Sequence, residues 1–397
     1  MARIVIAGAG YGGVMAGKKF ENNHTPFVMI NKHSYHQFIT WLHEAAGGRN
    51  HVDDYKVELT DIFSRHGTML VKDEVTGIDR QENKLLTTRG SYPYDYAIIA
   101  LGSAPEFFGI PGLSEYSMQL RSLETARQIR TRIEREFARF KDHKEDKKLR
   151  IVVGGAGLTG IEFVGELLEW LPKLCTKLGI SPSSFEVITI EATDTILPAL
   201  MPSLQKTARD VLEHKGAKIM ISTKIERVEE GRVYLGSGEV IEAETIVWTG
   251  GVRANMILSQ AGLTCDRRGR AEVNDYLQST DDERLFIIGD CASLVQAGRP
   301  LPPTAQMATQ MGQLAAKNIL ALLAKEPMQK FHPKMLGTLA SLGSEQGVGT
   351  LGKFPTSGAT AGLAKDLTKV KYLYQLGGLR MVTHIRKPLL KQTAWQV

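Results

Sequence analysis

Cysteine is scarce in this chain. Cys175, Cys265 and Cys291 are the only three among 397 residues. An odd, scattered set with no CxxC builds neither a disulfide framework nor a thiolate zinc site, and it suits a reducing compartment. Long apolar runs are also missing: no stretch reaches the roughly 18 uninterrupted apolar residues of a membrane span. Residues 3–7, RIVIA, already read as a buried strand with no basic-then-apolar leader ahead of them, so no secretion signal is expected. No GxSxG or GxxxxGKS/T motif occurs, which leaves hydrolase and NTPase readings without support. No zinc-finger spacing or RNA-binding motif occurs either, so nucleic acid is not an expected partner.

Glycine, by contrast, is plentiful: 39 residues, nearly a tenth of the chain, against an average of about 7%. Part of that excess must serve special backbone positions. The hydrophobic fraction of 43% and charged fraction of 23% are those of a globular protein and exclude bulk disorder. At about 150 residues per domain the length predicts two or three domains.

The net charge of +6 is localised. Residues 363–397 hold Lys365, Lys369, Lys371, Arg380, Arg386, Lys387 and Lys391 against the single acid Asp366, so the whole excess lies in this tail. Leucines, Tyr372, Tyr374 and Trp395 are interleaved with the basic residues. That composition suits a segment lying on an anionic membrane surface. It equally suits a solvated basic terminus packing its apolar side on its own domain.

Along the chain, residues 3–10 read as a strand entering a glycine turn, and Val14, Gly17 and Phe20 follow at helical spacing. PFVMIN (26–31) and YAIIALG (96–102) are further buried strands. Residues 123–140 form an amphipathic helix with Ile129, Ile133 and Phe137 four apart, followed by a polar linker at 141–148. The opening pattern then returns: LRIVVGGAGLTGIEFVGEL (149–167) is strand, glycine turn and helix, with FEVITIE (185–191) as its second strand. LFIIGD (285–290) is another buried strand, and residues 312–324 look helical. Strands alternating with helices predict an α/β protein with parallel sheets, here two Rossmann-like dinucleotide-binding domains, the second inserted in the first.

The first turn is Gly8-Ala9-Gly10-Tyr11-Gly12-Gly13, a GxGxxG with an extra glycine; the second is Gly155-Ala156-Gly157-Leu158-Thr159-Gly160. Such turns let the backbone approach a pyrophosphate and aim free helix N–H groups at it. One match is weak, whereas two in strand–turn–helix context are strong. At the end of the second strand of each unit stand Asn31, followed by Lys32, and Glu191. A carboxylate there accepts ribose hydroxyls and repels a 2′-phosphate, favouring NADH over NADPH. Asn31 departs from the acidic fingerprint and reads either as a ribose contact or as a turn residue.

Thr280, Leu285–Ile288 and Gly289-Asp290 resemble the flavin signature of two-dinucleotide-domain flavoprotein reductases. More specifically, AGAGYGG, INKHSYH, TWLHEAAGG, GGAGLTGIEFVGEL, WTGGVR, IGDCA and PPTAQMATQMG resemble type II NADH dehydrogenase, the single-subunit NADH:quinone oxidoreductase. The strings spread over almost the whole chain. The last is the most specific, since Ala305-Gln306 and Gln310 fit the family's AQxxxQ pattern at its flavin and quinone pocket.

The resemblance implies an FAD domain at 1–112 and 265–330, an NADH domain at 113–264 and a membrane-anchoring region at 331–397. Gly8, Ala9, Gly10, Tyr11, Gly12, Asn31, Lys32, Val75, Asp290, Ala305 and Lys365 would contact FAD. Gly155, Gly157, Gly160, Glu191, Gly250 and Gly251 would frame NADH. Gln306, Gln310 and Leu376 would line the quinone slot. It further implies a peripheral enzyme on the cytoplasmic face of a membrane that does not pump protons.

Quinone reduction takes up protons, and a buried carboxylate of raised pKa can relay them. Glu162 is the candidate; its alternative is a first-turn glutamate favoured by the helix dipole. No metal is expected, because His33, His36 and His43 lack completing ligands. Three rivals stand beside this reading: a sulfide:quinone oxidoreductase, which needs a redox cysteine pair; a non-catalytic flavoprotein that senses NADH; and an NADH oxidase using oxygen. The tail's apolar side chains are the one feature pointing to a homodimer.

Overall fold

The structure, a computed structural model, describes residues 2–63, 67–143, 148–296 and 298–385. The elements that matter below are, in chain order, β1 (Ile4–Ala7), α1 (Tyr11–Asn22), β2 (Phe27–Asn31), α2 (Leu42–Ala46), β3 (Thr68–Lys72), β4 (Tyr96–Ile99), β5 (Met118–Gln119), α3 (Leu123–His143), β6 (Leu149–Gly154), α4 (Leu158–Leu178), β7 (Phe185–Ile190), β8 (Ala217–Met220), β9 (Thr245–Trp248), β10 (Leu285–Ile287), α5 (Ala305–Ala324), β11 (Leu339–Ser341) and α6 (Gly358–His384).

The chain forms two compact units. The first comprises Met1–Gln37, Lys56–Ala104 and Val252–Met335; the second comprises Phe38–Tyr55, Pro105–Gly251 and Leu336–Val397. The first unit is built on a parallel sheet of order β10-β4-β1-β2-β3. Apart from the edge strand β3, its strands are near-continuous apolar runs, as parallel strands covered on both faces require: all four residues of β1 are buried. An antiparallel three-stranded meander, Val75–Asp79, Lys84–Thr87 and Gly90–Pro93, separates β3 from β4.

The second unit repeats the plan. Its parallel sheet runs β5-β9-β6-β7-β8, and a meander of Ile225–Glu229, Arg232–Leu235 and Val240–Glu242 separates β8 from β9. In both sheets the strand that leads into the glycine turn, β1 or β6, is central and the order reverses beside it. That reversal opens a crevice at the carboxyl ends of the strands, where open α/β sheets bind ligands.

Two helix boundaries differ from the sequence reading. The helix expected at 312–324 begins at Ala305, because Thr304 caps it by accepting from the Met307 N–H at 3.3 Å; the Pro302-Pro303 pair ahead of that cap reads as loop. The helix expected to end near 140 continues to 143, and of the rest of the expected linker at 141–148, residues 144–147 lie outside the described residues. The tail is helical through α6, with a break at Gly377 and Gly378 (φ +64°). Arg386, Lys387, Lys391 and Trp395 lie outside the described residues. No helix among the described residues is long and apolar enough to cross a membrane.

Candidate active site

The first glycine turn follows β1. Gly8 adopts φ +97°, and a Cβ there would lie 2.5 Å from the Ala100 carbonyl oxygen. A Cβ on Gly13 would lie 1.9 Å from the Gly8 oxygen, so these two glycines are required by the fold itself. Gly10 differs. Its φ of −74° suits any residue, and the nearest protein atom to a Cβ would be 4.0 Å away. Nothing in the protein demands a glycine there; a pyrophosphate lying against the α1 N-terminus would. Gly10 is also the N-cap of α1 and supplies no side-chain cap to that helix. Gly12 serves packing: its Cβ would meet Ile288 and the Ala308 carbonyl, and a Cβ on Gly312 would meet Gly12.

Asn31 closes the turn. Its Oδ1 accepts from the Ala9 N–H at 2.9 Å, and its Nδ2 donates to the His33 carbonyl at 2.7 Å. The buried His36 imidazole lies 2.8 Å from the Ala9 carbonyl. Burial holds its pKa down at about 4, so it stays neutral, and Nδ1–H is then the donor. Tyr11 meets the His36 ring edge-on at 5.3 Å. Lys32 pairs with Glu74 at 3.0 Å, and Val75 is buried in the meander. Asp290, in a single 3-10 turn after β10, accepts from Ser103 Oγ at 2.6 Å. Ala305 and Gln306 open α5, half-buried. The Gln310 amide is engaged at both ends by Lys334, donating to its carbonyl and accepting from its N–H at 2.9 Å, so it pins that segment.

The second turn has the same geometry. Gly155 has φ +95°, and a Cβ there would lie 2.7 Å from Gly250 Cα; a Cβ on Gly160 would lie 2.0 Å from the Gly155 oxygen. Gly157, the α4 N-cap at φ −72°, has nothing within 4 Å of a Cβ and no side-chain cap. Glu191 Oε2 accepts from the Ala156 N–H at 2.8 Å, while Oε1 accepts from Thr193. Gly250 rests on the Trp248 ring, and Gly251 takes φ +109°.

Beyond the turn, α4 carries the charge chemistry of the second unit. Glu162 is buried; it accepts from Lys365 Nζ on α6 and from the Ser341 N–H at 3.1 Å, with His43 Nδ1 at 3.5 Å. The sequence reading expected a raised pKa here, and the structure corrects it. Burial pushes the Glu162 carboxyl up, but Lys365, His43 and the hydrogen bonds from Lys365 and Ser341 more than offset that, so it lies below the usual glutamate value.

The raised carboxyl is Glu166, one turn further along α4. Burial pushes it to about 7 although Arg49 forks onto it with Nε–Oε2 at 2.9 Å. Arg49 Nη1 also lies 3.4 Å from Glu44, which in turn accepts from the fully buried Lys369. Burial raises the Glu44 carboxyl, but Lys369 and Arg49 overcome it and hold it at about 2. His43 stands between the two carboxylate–lysine pairs, neutral because burial holds it near 4.

Glu44, Arg49, Glu166 and Lys369 escaped the sequence reading. The available signal was spacing: Glu162/Glu166 and Lys365/Lys369 are i,i+4 pairs facing the apolar stripe of their helices. Lys365 belongs to this array. Leu376, just before the α6 break, is fully buried.

All three cysteines are free. Burial pushes the Cys175 thiol to about 11 and the Cys291 thiol to about 12, and Cys291 donates to the Gly102 carbonyl. Cys265 is raised as well, mainly by its burial. Held protonated, none is a ready nucleophile.

Paired Rossmann turns, each leaving an open glycine and an uncapped helix start, define a two-dinucleotide oxidoreductase. Residues 2–312 match the pyridine nucleotide-disulphide oxidoreductase family. The chain is 35% identical over 388 residues to the type II NADH:quinone oxidoreductase of Staphylococcus saprophyticus, spanning 95% of this chain and 96% of that one. It therefore belongs to the type II NADH:quinone oxidoreductase family. Its fold is similar to that of NDH2 from Plasmodium falciparum solved with NADH (TM-score 0.87, 16% identity, 98% of each chain). It is also similar to the sulfide:quinone oxidoreductase of Aquifex aeolicus (TM-score 0.78, 17% identity, 95% of this chain and 91% of that one); these likenesses concern the fold.

Proposed function

We propose that this chain is a non-proton-pumping NADH:quinone oxidoreductase with FAD as its cofactor. The observation that carries the reading is the pair of open glycines, Gly10 and Gly157, whose missing side chains no protein atom uses. FAD, when bound, supplies the two-electron carrier between the NADH hydride and the quinone. The chain's own part is to bind, orient and keep the site dry. Gly8, Ala9, Gly10, Tyr11, Gly12, Asn31, Lys32, Val75, Asp290, Ala305 and Lys365 are assigned to FAD. Gly155, Gly157, Gly160, Glu191, Gly250 and Gly251 are assigned to NADH, and Gln306, Gln310 and Leu376 to quinone. The matching functional division is 1–112 with 265–330, 113–264, and 331–397.

The overall reaction consumes one proton from solution with each hydride. Glu162 handles it: ionised at rest beside Lys365, it accepts a proton before it donates one. Exposed Leu363, Leu367, Tyr374 and Leu379, with exposed Lys371 and Arg380, support docking of α6 on an anionic membrane at the cytoplasmic face. The raised cysteine thiols count against the sulfide reading.

An anaerobic flavin titration tests the whole. NADH should bleach the flavin and a soluble quinone analogue restore it. Bleaching by sulfide alone would move the chain to the rival activity, and a protein unable to bind flavin would refute the reading.

A further inference from the structure

Adjacent phenylalanines in the second unit meet opposite fates. Phe107 packs on the core beneath the sheet with Ile110. Phe108 is 66% exposed and adopts φ +52°, a left-handed conformation that is an outlier for a bulky side chain. The strap that holds it there is fastened to the end of β9. Trp248 Nε1 donates to the Glu106 carbonyl at 2.8 Å, the Glu106 N–H donates to the Gly251 carbonyl at 3.2 Å, and the Phe108 N–H is held by Glu106 Oε1 at 2.9 Å. The Phe108 ring meets Trp248 edge-on at 6.4 Å and covers Gly251 so closely that a Cβ there would lie 2.8 Å from Cζ. A strained and exposed apolar ring gains little from its own fold, and such conformations cluster where a ligand is held.

Its place within the Rossmann unit says which part of a ligand. β9 and β6 are parallel, with Gly154 opposite Trp248, so Gly155 and Gly250 are neighbours at the carboxyl ends of the two strands where the strand order reverses. The pyrophosphate belongs at the α4 N-terminus, and the adenosine ribose at Glu191, on the β7 side of β6. The other half of the dinucleotide must then cross toward β9, where Phe108 stands.

We infer that Phe108 is a positioning residue for NADH whose ring packs against the nicotinamide end of the dinucleotide. The inference rests on the NADH reading above and deepens it. It explains why an aromatic rather than a glycine or asparagine occupies a left-handed turn position: the ring offers a face to the nicotinamide ring, which is neutral in NADH and cationic in NAD+.

The test uses the flavin-loaded enzyme and two ligands differing by one group, NAD+ and ADP-ribose, with affinities measured by titration calorimetry and the NADH KM by steady-state kinetics. Phe108→Gly removes the ring and accepts the backbone conformation, so the Tm should hold or rise. The NAD+ Kd and NADH KM should rise about tenfold, the ADP-ribose Kd should change less than about twofold, and Phe108→Tyr should restore wild-type values. Unchanged NAD+ binding, or equal loss of both ligands, would overturn the inference while wild-type bleaching by NADH left the enzyme reading intact. Wild-type protein that binds neither ligand would overturn both.

Discussion

The turn at Gly8 and the turn at Gly155 are built on one backbone plan and differ in the side chain that braces them. In each, the N–H of the first glycine donates to a carbonyl of the neighbouring strand, Ile30 or Ile190, at 2.8 Å, and the next N–H donates to the side chain of the residue that follows it, Asn31 or Glu191. An amide oxygen and a carboxylate oxygen both accept that bond, at 2.9 and 2.8 Å. The amide's other end donates to its own loop, whereas the carboxylate has no donor and turns its second oxygen to Thr193. A local brace is therefore neutral to charge, and the charge is left to discriminate among ligands.

The helices beyond the turns diverge more. Met15 is apolar and buried, and at the same offset in the second unit stands Glu162, one turn before Glu166. Both helices pack by glycine contact, at Gly12 in the first and Gly165 in the second, and the second adds a buried array of charges.

The largest expected effect breaks that second arrangement. Arg49→Met leaves Glu166 and Glu44 without their shared cation and should cost about 3–5 kcal/mol in denaturant unfolding; nothing comparable is expected from exchanging Met15 for Leu. The array also has a pH signature. Glu44 is held at about 2 against an ordinary 4.5, so its contribution is complete above about pH 4.5 and fades as pH falls toward 2. The stability gap between wild type and Glu44→Gln should shrink over that window. Glu166, raised to about 7, works with the opposite sign: its contribution to stability falls as pH rises from 4.5 through 7.

Next come the paired glycines that face carbonyl oxygens. Gly13→Ala and Gly160→Ala each force a Cβ to within 1.9 or 2.0 Å of the turn's own carbonyl, and each should cost roughly 1–3 kcal/mol or more. The two should part in ligand. The first should purify with depleted flavin, and the second should keep its flavin but resist bleaching by NADH. Flavin loss from both would erase the division of labour.

A smaller effect tests the braces. Asn31→Asp keeps the acceptor for Ala9 but loses the donor to His33, which should cost about 1–2 kcal/mol. Glu191→Gln keeps the acceptor for Ala156 but sets an NH2 against the Thr193 N–H, which should likewise cost about 1–2 kcal/mol, while the preference for NADH over NADPH falls about tenfold in kcat/KM. The smallest change in stability is expected from Gly157→Ala, within about 0.5 kcal/mol because its Cβ meets nothing; a raised NADH KM in that folded protein would locate the dinucleotide directly.

Local features could be read from the residues alone. The glycine turns, the apolar runs of β1, β2, β6 and β7, and the residue closing each second strand lie within a few dozen residues of one another, and their spacing carries their geometry. The α5 start, expected at 312 and found at Ala305, is set by a cap at Thr304 that is itself a local feature. Only the tertiary structure decided the rest. Glu162 read as a proton carrier of raised pKa, but its ionisation is set by Lys365, 203 residues away. Glu44, Arg49, Glu166 and Lys369 meet from three distant segments, and Phe108 covers a glycine contributed by a strand end far along the chain. Short-range periodicity fixes which face of an element is buried. The partners of a buried charge, and hence its protonation state, follow from long-range packing that no local pattern contains.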